Sequence, residues 1–161
     1  VDLGSSASLV AGTGDFTFGG LFFVEDSTTA KIPLSSRISA SGNGYDIVLQ
    51  NGSVAGRIAV RVDSADIAQI ASPNWDASKP AWHFIIGVIN RSAETLELYG
   101  DGLSKGTGDI TNAGNITNSQ NPNIGKRGTL FFNQEAQHIF FLNRVITANE
   151  ALKIARIAGL A

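Results

Sequence analysis

The chain has 161 residues, contains no cysteine, and has only 16% charged residues. Without cysteine it can form neither a disulfide framework nor a thiolate zinc site. Cysteine usage therefore gives no information about the redox compartment. Hydrophobic residues still make up 43% of the chain, so the low charge does not indicate a disordered polymer.

Long apolar runs and basic clusters are also absent from the sequence. The longest apolar run, around residues 84–89, is too short to span a bilayer, and no signal-peptide pattern begins the chain. The net charge is −2 and the basic residues are scattered, without a basic stripe. These features predict no membrane insertion and no nucleic-acid partner.

Glycine is abundant, with 18 residues, and the apolar residues recur with a period of two. The alternation over residues 16–24 slips near Gly20, which predicts a strand with a bulge or a close backbone approach. Asn43-Gly44 and Asn51-Gly52 separate further alternating runs and predict hairpin turns between three antiparallel strands. The Asn-rich segment 112–123 predicts a loop, and its regular asparagine spacing is interpreted as local composition bias.

The second half of the chain predicts central strands and one helix. Residues 82–89 are apolar on both faces, as expected for the middle of a sheet. Thr147-Ala-Asn-Glu150 forms a capping box, and Gly159 suits a left-handed C-terminal cap. The expected fold is all-β: a two-sheet antiparallel β-sandwich with one short C-terminal helix, as a single domain over residues 1–161. The expected buried residues are Phe16, Phe18, Ile58, Val60, Trp82, Phe84, Ile86, Leu98, Ile139 and Phe141.

The order of motifs in this half resembles a known family. A Trp82-led strand precedes the hairpin Leu98-Tyr99-Gly100-Asp101-Gly102, then Ile124-Gly125, a strand ending in Asn143-Arg144, and the capped helix. This order resembles the laminin-G-like and pentraxin-like jelly rolls of the concanavalin A-like lectin/glucanase superfamily. The resemblance implies a jelly-roll sandwich, and it implies binding rather than catalysis, because most such domains are not enzymes.

Two patterns in the sequence bear on catalysis. Gly102 to Gly106 matches G-x-S-x-G around Ser104, but this chemistry needs a strand turning sharply into a helix, and here a hairpin precedes it. Glucanases of the superfamily carry Glu-x-Asp-x-x-Glu on one strand face, and this chain has no such run. Glu94 and Glu97 are a near pair that points to opposite strand faces. The prediction is therefore a protein that is not an enzyme, with no catalytic residues.

Ligand-binding residues are predicted from aromatic and polar side chains near turns. Trp75 lies beside Asp76, and Tyr45 lies beside the Asn43 turn, so each pair offers an aromatic face with a polar partner for a sugar. For Trp75, a lid closing one end of the core remains an equal alternative. Calcium is the one candidate cofactor, because related lectins often hold it with loop carboxylates and asparagines. Its candidate ligands are Asp101, Asp109 and Asn112, although the same residues are also common turn formers.

The resulting prediction is a non-catalytic lectin-like recognition module, extracellular or on a virion surface, whose partner is a glycan or a protein surface. The alternative is a structural or decoration protein of a viral capsid or tail assembly, whose partners are neighbouring subunits. In such an assembly, a neighbour is expected to cover residues 73–80 or the Asn-rich segment 112–123.

Overall fold

The computed structural model describes residues 1–24, 31–39, 42–49, 56–62, 65–72, 81–111 and 113–160, with 56–62 and 65–72 described by backbone alone. Two antiparallel five-stranded sheets dominate it. The first has the order β12-β1-β6-β7-β8, formed by Ala136–Leu142, Phe16–Val24, Ala81–Asn90, Thr95–Gly100 and Leu103–Asp109. The second has the order β5-β4-β3-β2-β9, formed by Ala65–Ser72, Gly56–Val62, Gly44–Leu49, Lys31–Ser35 and Asn123–Ile124. A short ribbon pairs β10 (Lys126–Arg127) with β11 (Leu130–Phe131). The predicted concanavalin A-like sandwich and the antiparallel run of β2, β3 and β4 are confirmed.

The main core lies between the two sheets and is rich in aromatic rings. Phe16 and Phe18 of β1 face Tyr45 of β3, with ring centroids 5.1 Å and 4.6 Å apart respectively. All three side chains are fully buried. The period-two pattern brings them together because alternate residues of a strand project to the same face of a sheet.

A second apolar layer covers the outer face of the first sheet. Helix α1 (Ala148–Ile157) packs there through Ala151 onto a cluster that includes Phe84, Ile86 and Tyr99. Trp82 belongs to this layer, with its ring centroid 5.5 Å from that of Phe23. The helix therefore explains why β6 is apolar on both faces.

The predicted core list is confirmed in part. Its members Phe16, Phe18, Phe84, Ile86 and Leu98 are buried. Burial was wrongly predicted for three others, which are only half-buried: Trp82, Ile139 and Phe141. The side chains of Ile58 and Val60 lie outside the described residues, so their burial stays a prediction.

The predicted irregularity near Gly20 is confirmed as a β-bulge. The pairing of β1 with β12 changes register between Gly19 and Leu21, and His138 on β12 adopts a left-handed φ of 49°. Gly19 also allows a close approach, since a Cβ there would lie 2.5 Å from the Ile85 carbonyl oxygen. The register sets two residues of the edge strand β12, His138 and Ile139, against Gly20 of β1, and such a bulge bends the strand that carries the extra residue.

Both helix caps appear as predicted. The Thr147 hydroxyl accepts a hydrogen bond from the Glu150 amide, and the Glu150 carboxylate accepts one from the Thr147 amide at 2.8 Å. At the other end Gly159 has a φ of 75°, and the Leu160 amide donates to the Ala155 carbonyl at 3.0 Å. These bonds satisfy backbone groups that a helix leaves unpaired at its ends.

The N-terminal cap of α1 predicts an acid-sensitive contribution to stability. Arg144, 2.8 Å away, and the Thr147 amide lower the pKa of Glu150 from 4.5 to about 2. A lowered folded-state pKa means that the contribution is complete above pH 4.5 and is lost as the pH falls through about 2. We therefore expect the stability difference between the wild type and Glu150→Gln to shrink across this window in urea unfolding.

The matched control is Glu135→Gln, another exposed glutamate that lies outside the helix. This variant removes one exposed carboxylate and leaves the cap of α1 intact. A Glu150→Gln difference that stays constant from pH 6 to pH 2 would contradict the assigned role.

Candidate functional site

A polar cleft of about 380 Å³ opens between the N-terminal segment and residues 117–122. Apart from Val10 and Pro122, every lining side chain carries a hydroxyl or an amide, and none is charged. We call this feature the polar cleft; its lining is Ser5, Ser6, Val10, Thr117, Asn118, Ser119, Gln120, Asn121 and Pro122.

The two walls of the polar cleft are joined through one carbonyl group. The Asn118 amide nitrogen donates to the Leu9 carbonyl at 2.9 Å, and the Tyr45 hydroxyl donates to the same oxygen at 2.7 Å. A backbone bridge between Gly12 and Ile116 adds a second connection. The cleft is therefore formed by the fold itself, although its walls are more than a hundred residues apart in sequence.

Tyr45 was wrongly predicted as a ligand-stacking residue. It is fully buried between the sheets, where desolvation raises the pKa of its phenol, so its ring cannot contact a ligand. Its hydroxyl instead supports the polar cleft from below, through Leu9. Asn43 also has a supporting position, because its carbonyl accepts hydrogen bonds from the Ser119 amide at 3.0 Å and the Ser119 hydroxyl at 2.8 Å.

Trp75 and Asp76 lie outside the described residues, so their role stays a prediction. They belong to residues 73–80, which connect β5 at the edge of the second sheet to β6 in the middle of the first. The residues that line the polar cleft were not predicted as ligand contacts. The available signal was the asparagine-rich sequence around Asn118 and Asn121, which was interpreted as composition bias.

Asp101, a predicted calcium ligand, is engaged by the protein itself. One carboxylate oxygen accepts from the Phe84 amide at 2.8 Å, and the other lies 2.8 Å from Nδ1 of the buried His83. Asp101 has a left-handed φ of 51° in the turn between β7 and β8. Through these contacts Asp101 connects the β7–β8 hairpin to β6.

Two of the predicted calcium ligands, Asp101 and Asp109, do not converge. Asp101 precedes β8 and Asp109 ends it, which separates them by roughly 20 Å of strand. Asp109 accepts from the amide and the hydroxyl of Thr111, at 2.7 Å and 2.6 Å. Asn112 lies outside the described residues. Across the described ranges, no group of three or more His, Asp or Glu side chains could hold a metal ion.

Ser104 does not stand in a nucleophile turn. It lies in the edge strand β8, and its hydroxyl donates to Glu97 at 2.7 Å. His138 lies in β12 at the opposite edge of the same sheet. Four interstrand spacings, roughly 19 Å, separate these edges, so His138 cannot serve Ser104 as a base.

A larger groove of about 460 Å³ lies between β12 and helix α1, and its lining is mostly apolar. It includes Phe140, Leu142 and Ile157, and His138 is its one polar side chain. A saccharide needs several placed hydrogen-bonding groups, so this groove suits it less well than the polar cleft. In the described part of the chain, no helix has the length and apolarity that a bilayer crossing requires.

Comparison with known families identifies the class of protein. A laminin-G-type family model, described as "Concanavalin A-like lectin/glucanases superfamily", matches residues 1–151. The chain therefore belongs to this superfamily, and the resemblance predicted from the motif order is confirmed. No curated protein matches the chain.

Solved structures with the same fold are found among clostridial toxin binding domains. The receptor binding domain of botulinum neurotoxin D matches with a TM-score of 0.74 and 11% identity, over 98% of this chain and 41% of that one. The binding domain of Paraclostridial Mosquitocidal Protein 1 matches with a TM-score of 0.68 and 16% identity, over 96% and 40% of the two chains. A botulinum neurotoxin D ligand binding domain in complex with N-acetylneuraminic acid matches with a TM-score of 0.67 and 8% identity, over 89% and 36%. This chain thus spans about two fifths of these relatives, and at such low identities the likeness shows the fold alone.

Proposed function

We propose that this chain is a non-catalytic, lectin-like module that binds a carbohydrate in the polar cleft. The observation that carries the proposal is the lining of the cleft, in which hydroxyl and amide side chains converge in one concave surface without a charged group. Hydroxyls and amides both donate and accept hydrogen bonds. They therefore match the hydroxyl groups of a sugar, which do the same.

The cleft is supported so that its walls need little rearrangement to bind. Asn118 is held by the Leu9 carbonyl, and the Gln120 amide donates to the Arg37 carbonyl at 2.8 Å. Ser119 bonds to Asn43. A preformed site avoids part of the entropy cost of ordering loops on binding, which favours even a weak polar ligand.

Membership of a superfamily that contains lectins supports the same proposal. The structural relatives include a receptor binding domain and a domain in complex with N-acetylneuraminic acid, which shows that folds of this shape occur in binding proteins. Two observations support the non-catalytic part of the proposal: Ser104 is paired with Glu97, and His138 lies at the far sheet edge. No observation favours the capsid or tail alternative, which stays a prediction.

Residues 73–80 remain a second proposed contact surface, argued from the sequence alone. Trp75 offers a stacking face and Asp76 offers a hydrogen-bond acceptor. If this surface binds a glycan, Trp75→Ala removes binding and leaves the melting temperature nearly unchanged. If Trp75 is a lid on the core, the same change lowers the melting temperature instead.

The test of the polar cleft uses the double variant Thr117→Ala/Asn121→Ala on an array of neutral and acidic glycans. Both side chains are exposed and line the cleft, so the fold should tolerate their truncation. Each lost hydrogen bond is worth roughly 0.5–1.5 kcal/mol, so binding should weaken about tenfold.

The matched control is Thr107→Ala/Asn133→Ala, which truncates exposed residues of the same types outside the cleft. It should bind the array as the wild type does. Two results would count against the proposal: equal weakening in both double variants, or a wild type that binds no glycan at all.

A further inference from the structure

A second hollow, of about 280 Å³, lies between the segment that follows β2 and the β10–β11 ribbon. We call it the side hollow; it is lined by Ile38, Ser39, Arg127, Gly128, Thr129 and Leu130. Arg127 is buried and bonded to Asp46, whereas Ser39 and Thr129 are exposed. The accessible lining of the side hollow therefore combines two hydroxyl groups with aliphatic side chains.

The aliphatic part of this lining is open to solvent. Ile38 is 55% exposed, and Leu130 on the opposite wall is half-buried. Apolar surface that stays in water contributes nothing to folding, but it becomes favourable when a ligand covers it. The face of a sugar ring that carries C–H groups is apolar, while hydroxyl groups stand around its rim. Such a face can cover Ile38 and Leu130 while the nearby hydroxyls bond to the rim.

The side hollow and the polar cleft are direct neighbours. The Ile38 amide donates a hydrogen bond to the Ser119 hydroxyl of the polar cleft at 3.0 Å. A Cβ on Gly42 would lie 2.5 Å from the Ser119 hydroxyl oxygen and 3.1 Å from Cγ2 of Ile38. A hydroxyl of the cleft and an apolar side chain of the hollow therefore border the same point, and Gly42 places no side chain between them.

The position of the two hollows relative to each other is fixed by further hydrogen bonds. The Gln120 side chain of the polar cleft donates to the Arg37 carbonyl at 2.8 Å, and the Gln120 amide donates to the Ser36 carbonyl at 3.2 Å. Arg37 directly precedes Ile38 in the chain. A ligand that spans both hollows therefore meets a preformed surface, which lowers the entropy cost of binding.

We infer that the ligand is an oligosaccharide chain rather than a single terminal sugar. One sugar unit lies in the polar cleft, and the adjacent unit places its apolar face against Ile38 and Leu130 in the side hollow. This inference rests on the proposed carbohydrate-binding function and adds the size of the ligand to it. The two hollows divide the recognition: the cleft binds the hydroxyl rim of one ring, and the side hollow binds the C–H face of the next.

The experiment is isothermal titration calorimetry with four series of saccharides, built from glucose, galactose, mannose and N-acetylglucosamine. Each series runs from the monosaccharide to the tetrasaccharide. In a series that binds, the wild type should bind the disaccharide about tenfold more tightly than the monosaccharide, because the second unit buries further apolar surface.

The decisive variant is Ile38→Ser/Leu130→Ser, which removes the apolar contacts of the side hollow. It keeps the bond from the backbone amide of residue 38 to Ser119. It should lose the tenfold gain and retain only the small statistical factor that repeated units give. Because Leu130 is half-buried, the single variant Ile38→Ser, at an exposed position, provides a second measurement and should lose part of the gain.

The matched control is Leu103→Ser/Ile157→Ser, which changes the same residue types at exposed positions outside both hollows. It should show the same gain with chain length as the wild type.

The outcomes separate this inference from the proposed function. Equal affinity of the wild type for monosaccharides and longer chains overturns the inference while the carbohydrate function stands. The same holds for a gain that both Ile38 variants retain, or that the control loses to the same extent. Binding of no saccharide of any length overturns both.

Discussion

Asp46→Ala should lower the free energy of unfolding by about 3–5 kcal/mol, the usual cost of breaking a buried ion pair by removing one partner. Asp46 is fully buried and accepts hydrogen bonds from both Arg37 and Arg127. Removing the carboxylate leaves both guanidinium groups without this counter-charge in a region of low dielectric. Urea unfolding followed by circular dichroism measures the change.

A double variant shows whether the loss comes from an uncompensated charge. Adding Arg127→Met to Asp46→Ala removes one of the two buried cations, so the double variant should be more stable than Asp46→Ala alone. The control is Asp109→Ala, since Asp109 is exposed and bonds only locally to Thr111. A loss of stability from Asp46→Ala no larger than that from Asp109→Ala would contradict the importance of this cluster.

Phe18→Ala should also cost about 3–5 kcal/mol, the range for deleting a large buried aromatic side chain. The Phe18 ring is fully buried, lies 4.6 Å from the Tyr45 ring, and covers its cross-strand partner Gly87. A Cβ on Gly87 would come within 2.5 Å of the Phe18 ring. Because the ring fills the space that Gly87 leaves open, its removal opens a cavity that no neighbouring side chain of β6 can fill.

Trp82→Ala gives the comparison for this second prediction. Trp82 is larger than Phe18 but only half-buried, beside Phe23 on the outer face of the first sheet. Removing Trp82 should therefore lower the free energy of unfolding by less than removing Phe18. A half-buried side chain removes less apolar surface from water on folding. If Trp82→Ala is the more destabilising change, the assignment of the inter-sheet layer as the main core is wrong.

Local patterns in the sequence predicted most of the fold. The alternation around Phe16 and Phe18 predicted β1, the slip at Gly20 predicted the bulge in its pairing with β12, and the capping box at Thr147 predicted the start of α1. Each of these signals is set by residues close together in the chain. The same reasoning did not reveal which face of β6 meets the other sheet, because a strand covered on one side by a helix is apolar on both faces.

Two side chains of β3 show where the predictions went wrong or stopped. Tyr45 and the buried Ile47 are two residues apart on β3, so the alternating pattern itself predicts that Tyr45 is buried. The prediction of a ligand contact rested instead on its position beside a turn. Asp46 lies between these two residues and projects to the other face of β3, so the alternation predicts that it faces solvent. It is instead fully buried and contacts Arg127 of the β10–β11 ribbon. That contact joins residues about eighty positions apart, and local patterns do not reveal such pairings.

The candidate site depends on the same kind of long-range contact. Asn118 contacts Leu9 in the folded chain, although 109 positions separate the two residues in the sequence. Turn-forming asparagines give the same sequence signal whether they line a binding cleft or only close a loop. The composition of the segment was therefore visible in the sequence, but its convergence with Ser5 and Ser6 was not.

The most direct test of the central claim is an amide chemical-shift titration by NMR with the saccharide that binds most strongly on the array. Carbohydrate binding in the polar cleft predicts that the largest shift changes lie in the amides of residues 5–10 and 117–121. The amides of Ser104 and of helix α1 should remain unchanged. Changes confined to α1 and β12, around the apolar groove, would contradict the account.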